Sequence, residues 1–165
     1  MPVLRVTYTR PDRSLPPAQE LGCLITEAIL STHELNRWSD QLREMFRVRL
    51  HEMPQDHFLL GGRQSDRGLY DIEYILPAGT LSPDVRDKVS VAVCRCVLEW
   101  EGLPWDERDA MRVMLVITEV AHDRWYWGGR PVTPRTIVQY LGRLRQEARK
   151  WAGAAVDAAR ARESA

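Results

Sequence analysis

Apolar and polar positions follow two periods along this chain, and the same order of periods occurs twice. Pro2–Thr9 (PVLRVTYT) is rich in β-branched residues and bounded by a polar, proline-containing stretch, which predicts a strand. From Pro16, Leu21, Leu24, Ile25 and Ala28 recur at helical spacing and predict an amphipathic helix ending near His33. The polar Glu34–Glu44 segment carries Leu35, Trp38 and Leu42 and fits either a short helix or an ordered loop. Phe46, Val48 and Leu50 then alternate with Arg47, Arg49 and His51, the period of a strand with one apolar and one basic face. Gly61 and Gly62 supply the φ freedom of a tight turn. The cycle restarts with Tyr70, Ile72, Tyr74 and Leu76 alternating with Asp71 and Glu73. Ser82 and Pro83 open a second helix, whose apolar face runs through Val85, Val89, Ala92, Val93, Cys96, Val97 and Trp100. Arg112–Val120 is apolar on both faces, as in a strand covered on both sides.

The two cycles are copies. FRVRLHEMPQDHFLLGGR returns as VMLVITEVAHDRWYWGGR: Glu52 and Glu119, Phe58 and Trp125, Gly62 and Gly129, and Arg63 and Arg130 are all 67 residues apart. The same shift sets Pro16 on Pro83 and Pro2 on Leu69. A helix between two strands of one sheet requires parallel strands and a right-handed crossover. The fold class is therefore α/β (α+β): two βαβ units forming a four-stranded mixed sheet with both helices on one face. Unit one spans residues 2–68 and unit two 69–132, within a domain of residues 1–132. Residues 133–165 form a helical extension, capped at Thr133 and Pro134, with an apolar seam through Ile137, Leu141, Leu144, Ala148, Trp151 and Ala155. That extension docks on its own domain or on a neighbouring subunit. The sheet face opposite the helices lacks a cover, and oligomerisation supplies one.

Composition narrows the partners. The 165 residues are 44% hydrophobic and 28% charged, with 23 basic and 23 acidic side chains, so no net field draws the chain to nucleic acid or an anionic membrane. MPVLRVTYTR has no secretion signal, no apolar run approaches a membrane span, and Cys23, Cys94 and Cys96 form no CxxC pair; a cytoplasmic location is expected. His33, His51, His57 and His122 lack metal-ligand spacing, so no metal or other cofactor is expected.

Proline directly after Met1, the βαβ unit, and the phrases HEMPQDHFLLGG and ITEVAHDRWYWGG together resemble the tautomerase superfamily. The doubled unit resembles its fused members, of the cis-3-chloroacrylic acid dehalogenase type. The resemblance covers Pro2 to about Val132 and implies an isomerase that assembles as a homotrimer and acts on a small, anionic, carbonyl-containing molecule. It implies that Pro2, once Met1 is removed, is the general base. An α-amino group starts near a pKa of ~8, so modest desolvation or nearby cations leave it neutral. Arg13 and Arg47 fall where substrate-binding arginines lie in the single-unit relatives; Arg10, Arg49 and Arg130 are further anion holders. Phe58 and Trp125 take the place of the pocket aromatic. Trp125 and Trp127 serve either that pocket or a subunit interface, and Arg47 and Arg49 can alternatively pair with Asp71 or Glu73 across the sheet. The dehalogenase's paired arginines fall on Pro77 and Thr80, its helix histidine on Ile29, its tyrosine on Val116 and its water-activating glutamate near Trp127, so dehalogenation is not expected.

Three functions follow. The first is a Pro2-dependent isomerase of a keto-enol or unsaturated oxo acid. The second is a tailoring enzyme of secondary metabolism performing cyclisation, hydration or decarboxylation on this fold. The third is a noncatalytic trimeric binding protein.

Overall fold

The computed structural model describes residues 2–10, 14–32, 43 and 45–133. Met1, Arg13, the Glu34–Glu44 segment apart from Arg43, and the tail from Pro134, on which the sequence predicts a C-terminal helix, lie outside the described residues. The elements are β1 (Val3–Thr9), α1 (Ala18–Thr32), β2 (Arg47–Met53), β3 (Leu59–Leu60), β4 (Arg63–Gln64), β5 (Tyr70–Pro77), α2 (Pro83–Trp100), a one-turn α3 (Glu107–Ala110), β6 (Val113–Val120), β7 (Tyr126–Trp127) and β8 (Arg130–Pro131). Single 3-10 turns at Gln55–His57 and His122–Arg124 precede β3 and β7. No helix among the described residues is long and apolar enough to cross a membrane.

The sheet runs β2-β1-β5-β6, parallel within each βαβ unit and antiparallel at the β1–β5 seam. Alternation sends Leu4, Val6 and Tyr8 of β1, and Tyr70, Ile72, Tyr74 and Leu76 of β5, to the helix side, each 1% exposed or less. There they meet Leu21, Ile25 and Ile29 of α1 and Val89, Val93, Cys96 and Val97 of α2. The Ser82 hydroxyl caps α2 by accepting from the Val85 N–H at 3.3 Å, as Ser-Pro at a helix start predicts.

The repeat holds at 67 residues from the second strand onward: the 3-10 turns, β3 with β7, and β4 with β8 all superpose at that shift. Across the first strand and the helix it is 68. Leu21 and Val89, Ile25 and Val93, Ile29 and Val97, and Leu30 and Leu98 are equivalent buried pairs. Leu4, Val6 and Tyr8 likewise match Ile72, Tyr74 and Leu76. A shift of 67 would set buried Leu4 on half-buried Asp71, because an odd shift along a strand exchanges its faces. The Pro16–Pro83 and Pro2–Leu69 matches are therefore off by one: Pro2 corresponds to Tyr70. One residue is lost between helix and second strand.

The other sheet face has no covering layer among the described residues. Arg49 of β2, Arg5 of β1, Glu73 of β5 and Val116 of β6 form one row across it; His51, Thr7, Asp71 and Met114 form the next. Met114 and Val116 are 53% and 47% exposed, so β6 is covered on one side and not on both. The cross-strand ion pair is Arg5 with Glu73 at 2.9 Å. Arg47 and Arg49 do not pair with Asp71 or Glu73, because β1 lies between β2 and β5.

At the end of the sheet where β5 begins, aromatic and charged groups fill the space. The Tyr8 and Tyr70 rings stack at 6.2 Å and Trp100 stands edge-on to both. The Tyr70 hydroxyl donates to Glu101 at 2.6 Å. Arg112 binds the same carboxylate at 2.6 Å with both side chains buried, 8% and 6% exposed, and donates to the Gly68 carbonyl at 2.6 Å. A Cβ on Gly68 would lie 2.5 Å from Glu101 Oε1 and 2.7 Å from the Tyr70 hydroxyl, so this position excludes a side chain.

Two outcomes are expected. Arg112→Met leaves the Glu101 carboxylate buried without its cation and costs about 3–5 kcal/mol in denaturant unfolding, much of it recovered in Arg112→Met/Glu101→Leu. Burial, with Glu101 adding to it at Tyr70 and Glu52 at Tyr8, raises the phenol pKa of Tyr70, Tyr74 and Tyr8 above the ordinary 10.0. The fold thus keeps protons that the unfolded chain releases, so stability is intact below about pH 10 and falls as pH rises past it. Phenolate absorbance of these tyrosines should appear together with cooperative unfolding, not before it.

Candidate functional site

Pro2 is half-buried, and its carbonyl accepts the Arg47 N–H at 3.1 Å. Continuing the register one residue past Val3 sets Pro2 between Phe46 and Leu76, and Leu76 pairs with Glu119. Phe46, Pro2, Leu76 and Glu119 thus form one row on the helix side. The Phe46 ring stacks on Tyr74 at 6.3 Å. A groove of about 390 Å³ between α1 and β2, lined by Gly22, Cys23, Val48 and Leu50, runs along the sheet edge to Phe46.

Because β5 and β6 run against β1, their C-terminal ends arrive at the Pro2 end. They bring the Ala78–Leu81 loop, the first turn of α2, and the 3-10 turn and hairpin after β6. In that first turn Arg86 donates from Nη2 to Glu119 Oε2 at 3.1 Å and to the Leu81 carbonyl at 3.5 Å. Both ring nitrogens of His122 are buried without a hydrogen-bond partner among the described residues. Among those residues no group of three His, Cys, Asp or Glu side chains could hold a metal. Burial pushes the Cys96 thiol up to about 12, so it stays a protonated core group.

The sequence-derived residues separate into groups. Trp125 and Trp127 are half-buried and Arg130 is exposed; all lie in or just before the β7–β8 hairpin, at the Pro2 end and two strands along. The Trp125 carbonyl accepts from the Val132 N–H at 2.7 Å. Arg47 touches Pro2 through its backbone, but Arg47 and Arg49 are exposed and alternate onto the open face. Phe58 follows the opposite end of β2, about 20 Å away along a seven-residue strand. Arg10 also leaves β1 at that far end, where its guanidinium lies 5.8 Å from the centre of the Trp100 ring. Arg13 lies outside the described residues.

Arg86 is the residue that motif reading missed, since nothing marks it apart from its place one turn after the Ser82 cap. Its partner Glu119 belongs to the repeated phrase, as does Glu52. The two glutamates are equivalent but held differently: the Tyr8 hydroxyl donates to Glu52 at 3.2 Å, whereas a guanidinium holds Glu119.

No protein-family model matches the chain, and no curated protein does. Solved structures do match. A fused 4-OT wild type, an asymmetric trimer, is 17% identical with a TM-score of 0.60, over 82% of this chain and 98% of that one. Pt0534 inactivated by 2-oxo-3-pentynoate is 16% identical with a TM-score of 0.60, over 82% and 98%. Macrophage migration inhibitory factor from Oncomelania hupensis is 12% identical with a TM-score of 0.58, over 78% and 95%. At such identities the likeness establishes the fold: this chain has the tautomerase-like fold in its fused, two-unit form.

Within this fold, the hairpin carrying Trp127 and Arg130 turns on Gly128 and Gly129, with φ of 56° and 75°, as the first-unit hairpin turns on Gly61 and Gly62 with φ of 60° and 77°. Two successive positive φ values make the two-residue turn that suits strand twist. A Cβ at Gly128 or Gly129 meets nothing within 4 Å, so substitution is resisted by backbone strain alone. Gly128→Ala and Gly129→Ala should each cost roughly 1–2 kcal/mol in thermal unfolding and weaken the near-ultraviolet dichroism of the adjoining tryptophans.

Proposed function

We propose that this chain is a tautomerase-type isomerase in which Pro2, with Met1 removed, acts as general base on a keto-enol or unsaturated oxo acid. The observation carrying this reading is the position of Pro2. It opens β1 at a sheet end reached by Arg86, Glu119, Trp125 and Trp127, whereas its equivalent in the second unit, Tyr70, lies inside the chain and has no amine to offer. Each chain then holds one N-terminal proline amine.

In the proposed reaction the neutral secondary amine takes a proton from a carbon next to the carbonyl. The resulting enolate is stabilised by cations, and the proton returns to a different atom of the conjugated system. Apolar neighbours and cations favour the neutral amine at physiological pH. Arg130, with Arg13, is a proposed holder of anionic groups, Arg47 and Arg49 could reach substrate only from the open face across a subunit boundary, and Trp125 and Trp127 are the apolar wall. A homotrimer would cover the open sheet face, where Met114 and Val116 stand exposed, and would let a neighbouring subunit's Phe58 approach Pro2. The description of a fused 4-OT as a trimer supports this assembly.

The test uses 2-oxo-3-pentynoate, which inactivates the structural neighbour Pt0534. It is a conjugated alkynyl ketone, so an uncharged amine can add to its triple bond. One adduct per chain is expected, on the Pro2 peptide, with loss of ketonisation of phenylenolpyruvate. Pro2→Ala should lower kcat at least ~100-fold and form the adduct more slowly through its primary amine, and wild-type kcat/KM should rise with pH as the amine deprotonates, near or below about pH 8. Retained Met1 in the intact mass of active protein, or full activity in Pro2→Ala, rejects the mechanism.

A further inference from the structure

The cations that motif reading assigns to the substrate do not share the side of the sheet on which Pro2 begins its row. Arg47 and Arg49 alternate onto the open face, and Arg5 on that face is bonded to Glu73. On the helix side, Phe46, Pro2, Leu76 and Glu119 stand in line, and the cation that meets this line is Arg86.

Arg86 also differs from the other guanidinium packed against the sheet ends. Arg112 is buried, and both of its Nη atoms are bonded, Nη1 to the Gly68 carbonyl and Glu101 and Nη2 to Glu101, with Asp109 an ion-pair neighbour 3.4 Å from Nε, which is the pattern of a structural brace. Arg86 is 37% exposed at the side chain, and its hydrogen bonds use Nη2 alone. Its Nη1, with two N–H donors, has no hydrogen bond to the described residues, whereas both Nη atoms of Arg112 are bonded. Free N–H donors on a partly exposed guanidinium held in place by a carboxylate suit an anionic ligand group. The unit-one position equivalent to Arg86 is Ala18, and there Glu52 takes a neutral phenol instead. Of these two equivalent positions, the one at the Pro2 end carries the cation.

We propose that Arg86, oriented by Glu119, is the specificity-determining cation of the Pro2 site and takes the carboxylate of a 2-oxo acid. This deepens the Pro2 reading and rests on it for the place of the reacting carbon. Pro2 and Glu119 are two strands apart, about 10 Å between backbones, so Arg86 and the amine can hold opposite ends of a substrate larger than a three-carbon acid. Glu119 is a positioning residue: it uses one face of the guanidinium and turns the other outward.

The experiment measures dissociation constants of phenylpyruvate and its methyl ester by calorimetry for wild type, Pro2→Ala, Arg86→Lys and Arg86→Gln. Wild type and Pro2→Ala should prefer the acid by roughly ten- to hundredfold; Arg86→Gln should lose the preference while ester affinity is unchanged, and Arg86→Lys should keep part of it. Equal affinity of wild type for acid and ester overturns the inference, as does an acid preference that survives in Arg86→Gln. Should Arg86→Gln fail to fold, Glu119→Gln replaces it: weakened acid binding with unchanged ester binding supports the inference, and unchanged acid binding overturns it. Full turnover in Pro2→Ala together with an Arg86-dependent acid preference removes the Pro2 mechanism alone and leaves the carboxylate site standing.

Discussion

The antiparallel seam between β1 and β5 is the constraint on which the rest of the structure depends. Parallel pairing inside each unit follows from the helix that joins the two strands, but the seam decides how the units face one another. Because it is antiparallel, the strand ends of the second unit meet the strand beginnings of the first. Pro2 therefore lies beside Leu76 and in line with Glu119 one strand further on, and Arg86 comes into the same region from the start of α2. A parallel seam would have sent all of these to the opposite end.

The seam also makes the two ends of the sheet equivalent in backbone, and the side chains then separate their roles. At the Tyr70 end, Tyr8, Tyr70 and Trp100 fill the apolar space and Glu101 with Arg112 answers the buried polar groups. Chain continuity through Leu69 removes any use for that end as an amine site, and packing has taken it over. At the Pro2 end the corresponding row is Phe46, Pro2 and Leu76, with an ion pair at its margin that is only partly buried. One end of the sheet is thus closed by packing, and the proposed site lies at the other, built from both units.

The fold was largely legible because two periods, the Ser82 cap and a repeated phrase agree. Leu4, Val6 and Tyr8, and the helix faces through Ile25 and Val93, are buried as their spacing requires. Sequence matching alone sets the repeat off by one residue across the first half, since the strongest matches lie in the Gly-Gly phrase and carry no information about a deletion upstream. Parity of the strand faces reveals it, and only once burial is known. The site was less legible. Spacing places Arg47 and Arg49 on one face but does not say which face shares a side with Pro2, and Phe58 and Trp125, identical by motif, lie at opposite ends of the sheet because the seam is antiparallel. Arg86 belongs to no motif, and its relevance follows from a contact with Glu119, 33 residues away.

The ion pair at the middle of the seam has a consequence for how the halves choose each other. Arg5 and Glu73 are equivalent by the 68-residue shift and also stand opposite one another, so the pseudo-twofold axis passes between them. Were either half to pair with a copy of itself along the same edge, arginine would face arginine or glutamate would face glutamate, and like charges directly opposed weaken a sheet. Only the mixed combination places opposite charges on the axis. The seam thus carries a rule of mate selection: severed halves would seek one another over their twins, and the covalent link joins a pair whose charges already prefer it.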